Sequence, residues 1–243
     1  MPIQLYKPIG KTPLELVEEY KKQHNIKKAC FAGRLDPMAH GVMTILLNEE
    51  CKKLDSYCGK DKVYEFKILY GFETDTYDVL GKLLSATKPN EDIINSLDMS
   101  NYIGEFKQKY PPYSSIVVNK KPLWEWAKLN LLHTIDIPSK KVNIEYINIS
   151  NIKQEICDNT SLKQHIFKMI NSLKNTNKPK FRADEILSIW ETNFNVLSDY
   201  KPIIRSYKAK VSSGTYIRGL VNQIGKDIGC GAIALDIKRT KII

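Results

Sequence analysis

The sequence predicts an α/β protein of the α+β kind, with strands and helices interspersed on short connections. Two observations predict it. Stretches with period-two alternation recur at 62–71, 141–150 and 205–211, and amphipathic stretches of helical period lie between and around them. Nowhere do strand and helix alternate in the regular βαβ order of a parallel sheet, and no internal repeat or low-complexity run is visible.

Residues 3–8 form a short strand stopped by Pro8, with Gly10 in the turn that follows. Thr12-Pro13-Leu14-Glu15 then opens a helix. Thr12 can cap it, Pro13 suits the first helical position, and Glu15 completes a capping box. Leu14, Val17 and Tyr20 make the inward face, and Lys21-Lys22 sit at the negative end of the helix dipole. A glycine-bounded turn at 33–41 leads into an apolar strand at 43–47, and 48–59 reads as a short helix stopped by Gly59. In the strand at 62–71, Tyr64, Phe66, Ile68 and Tyr70 share one face. The polar turn at 74–81 carries Asp75 and Asp78, read as turn formers rather than metal ligands.

From Glu91 the chain is helical in character until Tyr110-Pro-Pro-Tyr113 imposes an extended path. A short helix at 123–128 carries Trp124 and Trp126, read as packing residues, and a strand follows at 141–150. The stretch 151–201 differs in texture. Leu162, Ile166, Met169, Ile170 and Leu173 mark an amphipathic helix with Lys163, Lys168 and Lys174 at polar positions, a polar loop covers 175–180, and 183–194 forms a second helix. This pair interrupts a strand-rich region and reads as an insertion packed on the main sheet. A strand at 205–211, a turn at Ser212-Ser213-Gly214, a helix with Ile217, Leu220, Val221, Ile224 and Ile228 inside, and a strand at 232–237 complete the order.

The chain has 243 residues, and 42% of them are hydrophobic, enough for one large domain or two small ones. Its apolar runs fall far short of the about 20 residues that span a bilayer, and no basic-then-apolar segment opens it, so no membrane partner and a cytoplasmic location are expected. Five scattered cysteines without a C-x-x-C pair argue against a disulfide framework and a zinc site; they read as reduced thiols, mostly core filler. Basic residues number 37 against 27 acidic, a net charge of +10. That excess suits a polyanion such as nucleic acid, and a lysine-rich composition bias accounts for it equally well.

Two residues point to chemistry. Asp36 sits between Arg34 and Pro37 in the 33–41 turn, where an Asp-Pro pair is ordinarily only a turn. Arg218 stands at the start of an amphipathic helix, misplaced with respect to the helix dipole, so a carboxylate or a phosphate should want it there. Asp36 is a candidate for that carboxylate.

Five motifs occur in order: Leu-Tyr-Lys-Pro-Ile-Gly at 5–10, Gly-Arg-Leu-Asp-Pro-Met-Ala-His-Gly at 33–41, Lys-Val-Tyr-Glu-Phe and Tyr-Gly-Phe-Glu-Thr-Asp-Thr-Tyr-Asp-Val-Leu-Gly within 62–81, Pro-Pro-Tyr-Ser-Ser at 111–115 and Ser-Gly-Thr-Tyr-Ile-Arg at 213–218. Together they resemble the TruB family of tRNA pseudouridine synthases over roughly 3–150 and 205–243. The resemblance implies a central mixed, mostly antiparallel sheet flanked by helices, with a basic cleft across it. It implies isomerisation of a T-loop uridine in tRNA, with no metal or cofactor, by a monomer. Asp36 would be the nucleophile or base, acting on the ribose or on the base ring. Arg218 would hold it, and Tyr64 would stack on the extruded uracil and handle a proton. Met38 and His40 would line the flank of the motif, Ile237 would close the pocket, and Tyr216 would contact substrate. Lys120 and Lys121, chosen for their clustering, would meet phosphates, as would Lys27, Lys28, Lys208 and Lys210.

The chain departs from the family pattern in several places. Phe31 stands where the family carries a histidine five residues before the aspartate, Arg34 gives a Gly-Arg-Leu-Asp form, and Val117 replaces a lysine. A C-terminal PUA domain, common in the family, is not expected within 1–243, which reads as one catalytic domain. These departures keep two alternatives in play: an RNA-binding or tRNA-folding protein without catalysis, and a pseudouridine synthase acting on another RNA.

Overall fold

The computed structural model describes residues 2–150, 156, 158–174, 181–196 and 201–243. Cys157, the side chain of Lys174 and the loop expected at 175–180 lie outside the described residues. The elements run β1 (Ile3–Lys7), α1 (Pro13–His24), β2 (Ala29–Ala32), β3 (His40–Leu47), α2 (Leu54–Cys58), β4 (Lys62–Tyr70), β5 (Phe72–Thr74), β6 (Leu83–Ala86) and α3 (Glu91–Asn95). There follow β7 (Gly104–Lys109), β8 (Val117–Val118), β9 (Lys121–Pro122), α4 (Leu123–Lys128), β10 (Ser139–Ile149), α5 (Asn159–Lys174), α6 (Ala183–Val196), β11 (Ile204–Val211), α7 (Ile217–Asp227) and β12 (Ala232–Ile242).

The centre is a mixed sheet in the order β1-β3-β12-β4-β11-β10-β7, with β2 also on β3. Its pairings are antiparallel except where β12 meets β3 in parallel, through Lys238 with His40 and Arg239 with Gly41. Gly41 makes that joint possible. It has φ +117°, and a Cβ there would lie 2.1 Å from the Arg239 carbonyl oxygen. Helix α7 buries Ile217, Leu220, Val221 and Ile224, and Val17, Met43, Ile45, Phe66 and Ile68 belong to the same core.

The capping box forms as expected: Glu15 N–H donates to Thr12 Oγ1 and Thr12 N–H donates to Glu15 Oε2. Leu14, expected inside, is exposed, because the helix turns Pro13 and Val17, one turn apart, towards the core. The segment 48–59 divides into a 3₁₀ turn, Asn48–Lys53, and α2. Strand β7 falls where helical character was expected. It is the sheet's outer strand, and only alternate residues such as Gln108 turn inward, so its sequence carries little apolar signal. Strand β12 runs five residues beyond the expected Ile237, through Lys238, Arg239 and Lys241, because its backbone keeps pairing with β4 to Ile242 and Lys62. Cys30, Cys51, Cys58 and Cys230 are free and half-buried rather than core residues.

Helices α5 and α6 lie in the chain between β10 and β11, which are hydrogen-bonded neighbours. All five apolar residues expected inside α5 are buried, together with Ile186, Trp190 and Phe194 of α6. Trp190 packs 5.6 Å from the Phe72 and Phe194 rings and donates from Nε1 to the Gly81 carbonyl at 3.2 Å. The pair therefore docks on the 74–81 segment.

Candidate active site

The turn between β2 and β3 is held by cations from both ends of the sequence. Arg239, fully buried, donates to the carbonyls of Val42 at 2.7 Å and Gly33 at 3.1 Å. Lys7, also fully buried, donates to the Lys11 carbonyl at 2.7 Å and reaches the Pro37 carbonyl at 3.4 Å. Burial pulls the Lys7 ammonium down to about 7, opposed by the nearby Asp36 carboxylate. Gly10 N–H donates to the Pro37 carbonyl at 2.9 Å. With its backbone fixed, the turn leaves Asp36 partly open, its side chain 25% exposed, next to the exposed Arg34.

Arg218 meets Asp36 as anticipated. Its Nε donates to Asp36 Oδ2 at 2.8 Å, and Asp78 Oδ2 lies 3.4 Å away. Its Nη1 donates to the Thr76 carbonyl at 2.5 Å and its Nη2 to the Tyr113 carbonyl at 3.2 Å. Two carboxylates and two carbonyls thus offset a buried cation at a helix N-terminus. Burial pushes the Asp78 carboxyl up to about 6 against the pull of Arg218 and the Thr76 hydroxyl. Gln108 sets the start of α7, accepting from Tyr216 N–H at 2.8 Å and donating to its carbonyl at 3.0 Å.

Two cavities meet at Asp36, Leu35, Arg34 and Arg218. The smaller, about 180 Å³, is lined by Tyr64, Ile237, Tyr216, Lys62, Arg239 and the turn 213–215. Tyr64 pairs across the strands with Arg239, and Ile237 stands one pleat along on the same face. Burial raises the Tyr64 hydroxyl, opposed by the Arg239 guanidinium beside it, and lifts Tyr216 to about 12. Such a slot suits one small flat ring. The larger, about 250 Å³, lies on the other side of the pair, walled by Met38, Trp124, Leu173, Phe181 and Arg182.

The sequence-derived set divides accordingly. Asp36, Tyr64, Arg218, Arg34, Tyr216 and Ile237 converge on the smaller cavity. Met38 is fully buried and lines only the larger. His40 belongs to neither: its Nε2 faces Asp236 Oδ1 at 3.1 Å and its Nδ1 meets the Tyr6 hydroxyl, because its β3 position turns it to the β12 side of the sheet. Phe31 lies under the Arg34 guanidinium, 5.5 Å from ring centroid to Cζ, and lines neither cavity. Lys120 and Lys121 sit on the β8–β9 hairpin outside both, with Lys121 5.3 Å from the Trp126 ring, and Lys208 and Lys210 pair with Glu65 and Glu145. Sequence reasoning missed Arg239, Lys7 and Asp78. The run Thr-Asp-Thr-Tyr-Asp held the signal for Asp78, whose Oδ1 accepts from Leu80 N–H in the turn it had been assigned to.

The family model described as TruB family pseudouridylate synthase (N terminal domain) matches residues 21–168. The chain belongs to the TruB family. Among curated TruB-family relatives, it is 29% identical over 242 residues to tRNA pseudouridine synthase B of Clostridioides difficile (strain 630), covering 98% of this chain and 64% of that protein. To the protein of the same name from Clostridium novyi (strain NT) it is 30% identical over 241 residues, covering 98% and 66%. The chain thus spans about two thirds of the length of these relatives. Among solved structures, a Cbf5–Nop10–Gar1 complex matches with a TM-score of 0.58 at 20% identity, over 99% of this chain and 48% of that one. An H/ACA RNP bound to a substrate RNA containing 2′-deoxyuridine matches at 0.55 and 20%, over 99% and 47%. These two share the TruB-type fold, as the motifs implied.

Proposed function

We propose that this protein isomerises uridine to pseudouridine in RNA, with the T-loop uridine of tRNA as its target and Asp36 as the reacting carboxylate. The observation that carries the reading is the meeting of a quarter-exposed Asp36, a sealed Arg218 and a slot between Tyr64 and Ile237, in a member of the TruB family. In the reaction the bond from ribose C1′ to N1 breaks, the base turns, and C1′ bonds to C5. The C5 proton leaves and N1 gains one, so the change is internal to the nucleotide and redox-neutral. Asp36 acts as nucleophile or as base, and Arg218, donating to its Oδ2 at 2.8 Å, fixes its direction. Tyr64 and Ile237 flank the base, which must leave its stack because the glycosidic bond cannot be remade inside one.

The net charge of +10 supports an RNA partner. Lys120 and Lys121, beyond the cavities, are proposed to meet its phosphates, and Phe31 to wedge near the extruded base from beside Arg34. The test is release of tritium from uridine labelled at C5 in tRNA, with pseudouridine mapped in cellular RNA with and without the protein. Release from tRNA and loss of the T-loop mark support the reading. Binding without release favours an RNA-folding role, and a mark lost elsewhere assigns another RNA.

A further inference from the structure

The two carbonyls that hold Arg218 belong to Thr76 and Tyr113. A single side chain, Arg182 immediately before α6, grips the same two segments from the other side. Arg182 donates from Nη1 to Asp75 Oδ2 at 2.8 Å and lays its guanidinium on the Tyr113 ring, 4.7 Å from the centroid. The Tyr113 hydroxyl donates to the same Asp75 oxygen at 3.0 Å, and Asp75 Oδ1 accepts from Lys82 N–H at 2.8 Å. Asp75 and Tyr113 are 38 residues apart in sequence, so this knot ties two independent segments.

The knot is built at a cost. Arg182 has φ +53°, in the left-handed region that non-glycine residues other than Asn and Asp enter uncommonly. Its side chain is 19% exposed, and its charge is spent on Asp75. A residue needed only to begin α6 would require neither the strained backbone nor the stacking.

We infer that Arg182 is a positioning residue for the Asp36–Arg218 pair, a role that rests on the proposed function of Asp36. By clipping Asp75 to Tyr113 it fixes the spacing of the Thr76 and Tyr113 carbonyls. Those carbonyls set the plane of the Arg218 guanidinium, and that plane aims Nε at Asp36. The helical pair is then part of the reacting centre's frame, although none of its residues touches Asp36 among the contacts above. Loss of the clip lets the guanidinium turn, and small misplacements at a reacting centre are costly in rate.

The experiment compares Arg182→Ala, Arg182→Lys, Asp75→Asn and the double variant Arg182→Ala/Asp75→Asn in the full chain. The expected result is a fall in kcat for tritium release of about tenfold in Arg182→Ala with KM within about twofold of the parent. Asp75→Asn gives a similar fall, the double variant falls no further, and Arg182→Lys recovers part of the rate by keeping the charge. A second readout needs no turnover: the Nε–Hε signal of Arg218, assigned by its disappearance in Arg218→Lys, exchanges with solvent faster in Arg182→Ala. Unchanged kcat and exchange in Arg182→Ala overturn the inference. So do additive losses, and so does a raised KM at unchanged kcat, which would make Arg182 an RNA contact. If Arg182→Ala does not fold, Asp75→Asn carries the same expectation with the side-chain shape kept. A parent protein that turns over no RNA defeats the proposed function, while the exchange measurement still decides the clip.

Discussion

Arg218 and Asp36 form an ion pair with unequal burial: the guanidinium is 2% exposed and the carboxylate 25%, at 2.8 Å. One partner is sealed into the frame and the other faces the cavities. The pair is therefore asymmetric, with the arginine as a fixed reference and the carboxylate as the group that opens on the cavities.

Asp36→Asn keeps the size of the side chain and removes its charge. Tritium release from C5-labelled tRNA is expected to fall by about 10³-fold or more, as for loss of a reacting group. RNA affinity in a filter-binding assay should change by less than about threefold. Turnover near that of the parent would remove Asp36 from the mechanism.

Arg218→Met leaves Asp78 buried at 4% exposure without its cation. Breaking a buried pair in this way costs about 3–5 kcal/mol, read as a lower midpoint in urea unfolding. Arg218→Lys is expected to fall between the two, since an ammonium keeps the charge and cannot reach both the Thr76 and Tyr113 carbonyls and Asp36 at once.

The Asp78 carboxyl, raised from 3.8 to about 6 by burial, gives a signed pH dependence. Between those values the folded protein holds a proton that the unfolded chain releases. This favours the fold at low pH, and the advantage is lost as pH rises through 6. Relative to Asp78→Asn, the parent should lose up to about 3 kcal/mol of stability between pH 4 and pH 7. Parallel stability curves for the two proteins across that range would show that Asp78 does not titrate there.

Trp190→Ala opens a cavity where α6 meets Phe72, Phe194 and the Gly81 carbonyl. A loss of about 3–5 kcal/mol is expected in denaturant unfolding. Because Trp190 anchors the helical pair to the segment that carries Thr76 and Asp78, kcat should fall as well, even under conditions where the variant remains folded.

What could be seen in the sequence was local or strongly periodic. Thr12 and Glu15 announce α1 because both partners of the cap lie within one turn. The five apolar residues of α5 announce its buried face for the same kind of reason. An arginine at the wrong end of a helix left a carboxylate or a phosphate open as its partner, with Asp36 a candidate, and the structure makes that pair across 182 residues. Arg239 gave no such sign. Lysine and arginine at 238–239 look like the end of a strand, and only the parallel joint with β3 puts Arg239 inside, facing the carbonyls of the Asp36 turn. Arg182 was hidden likewise, since its partners Asp75 and Tyr113 are brought to it by the docking of α6 and by no pattern of its own. His40 shows the opposite error. It lies within the motif, and the strand geometry turns it away from the site.

The joint between β3 and β12 bears on how the protein is made. As synthesis proceeds, β1, β2 and β3 can pair early, and β4, β10 and β11 can pair later, leaving two half-sheets with open edges. Strand β12 lies between them, so both edges wait until residues 232–242 have emerged. The pairings of β12 with β3, Lys238 with His40 and Arg239 with Gly41, are also those that close Arg239 onto the Asp36 turn. The step that completes the sheet therefore also locks the backbone of the Asp36 turn.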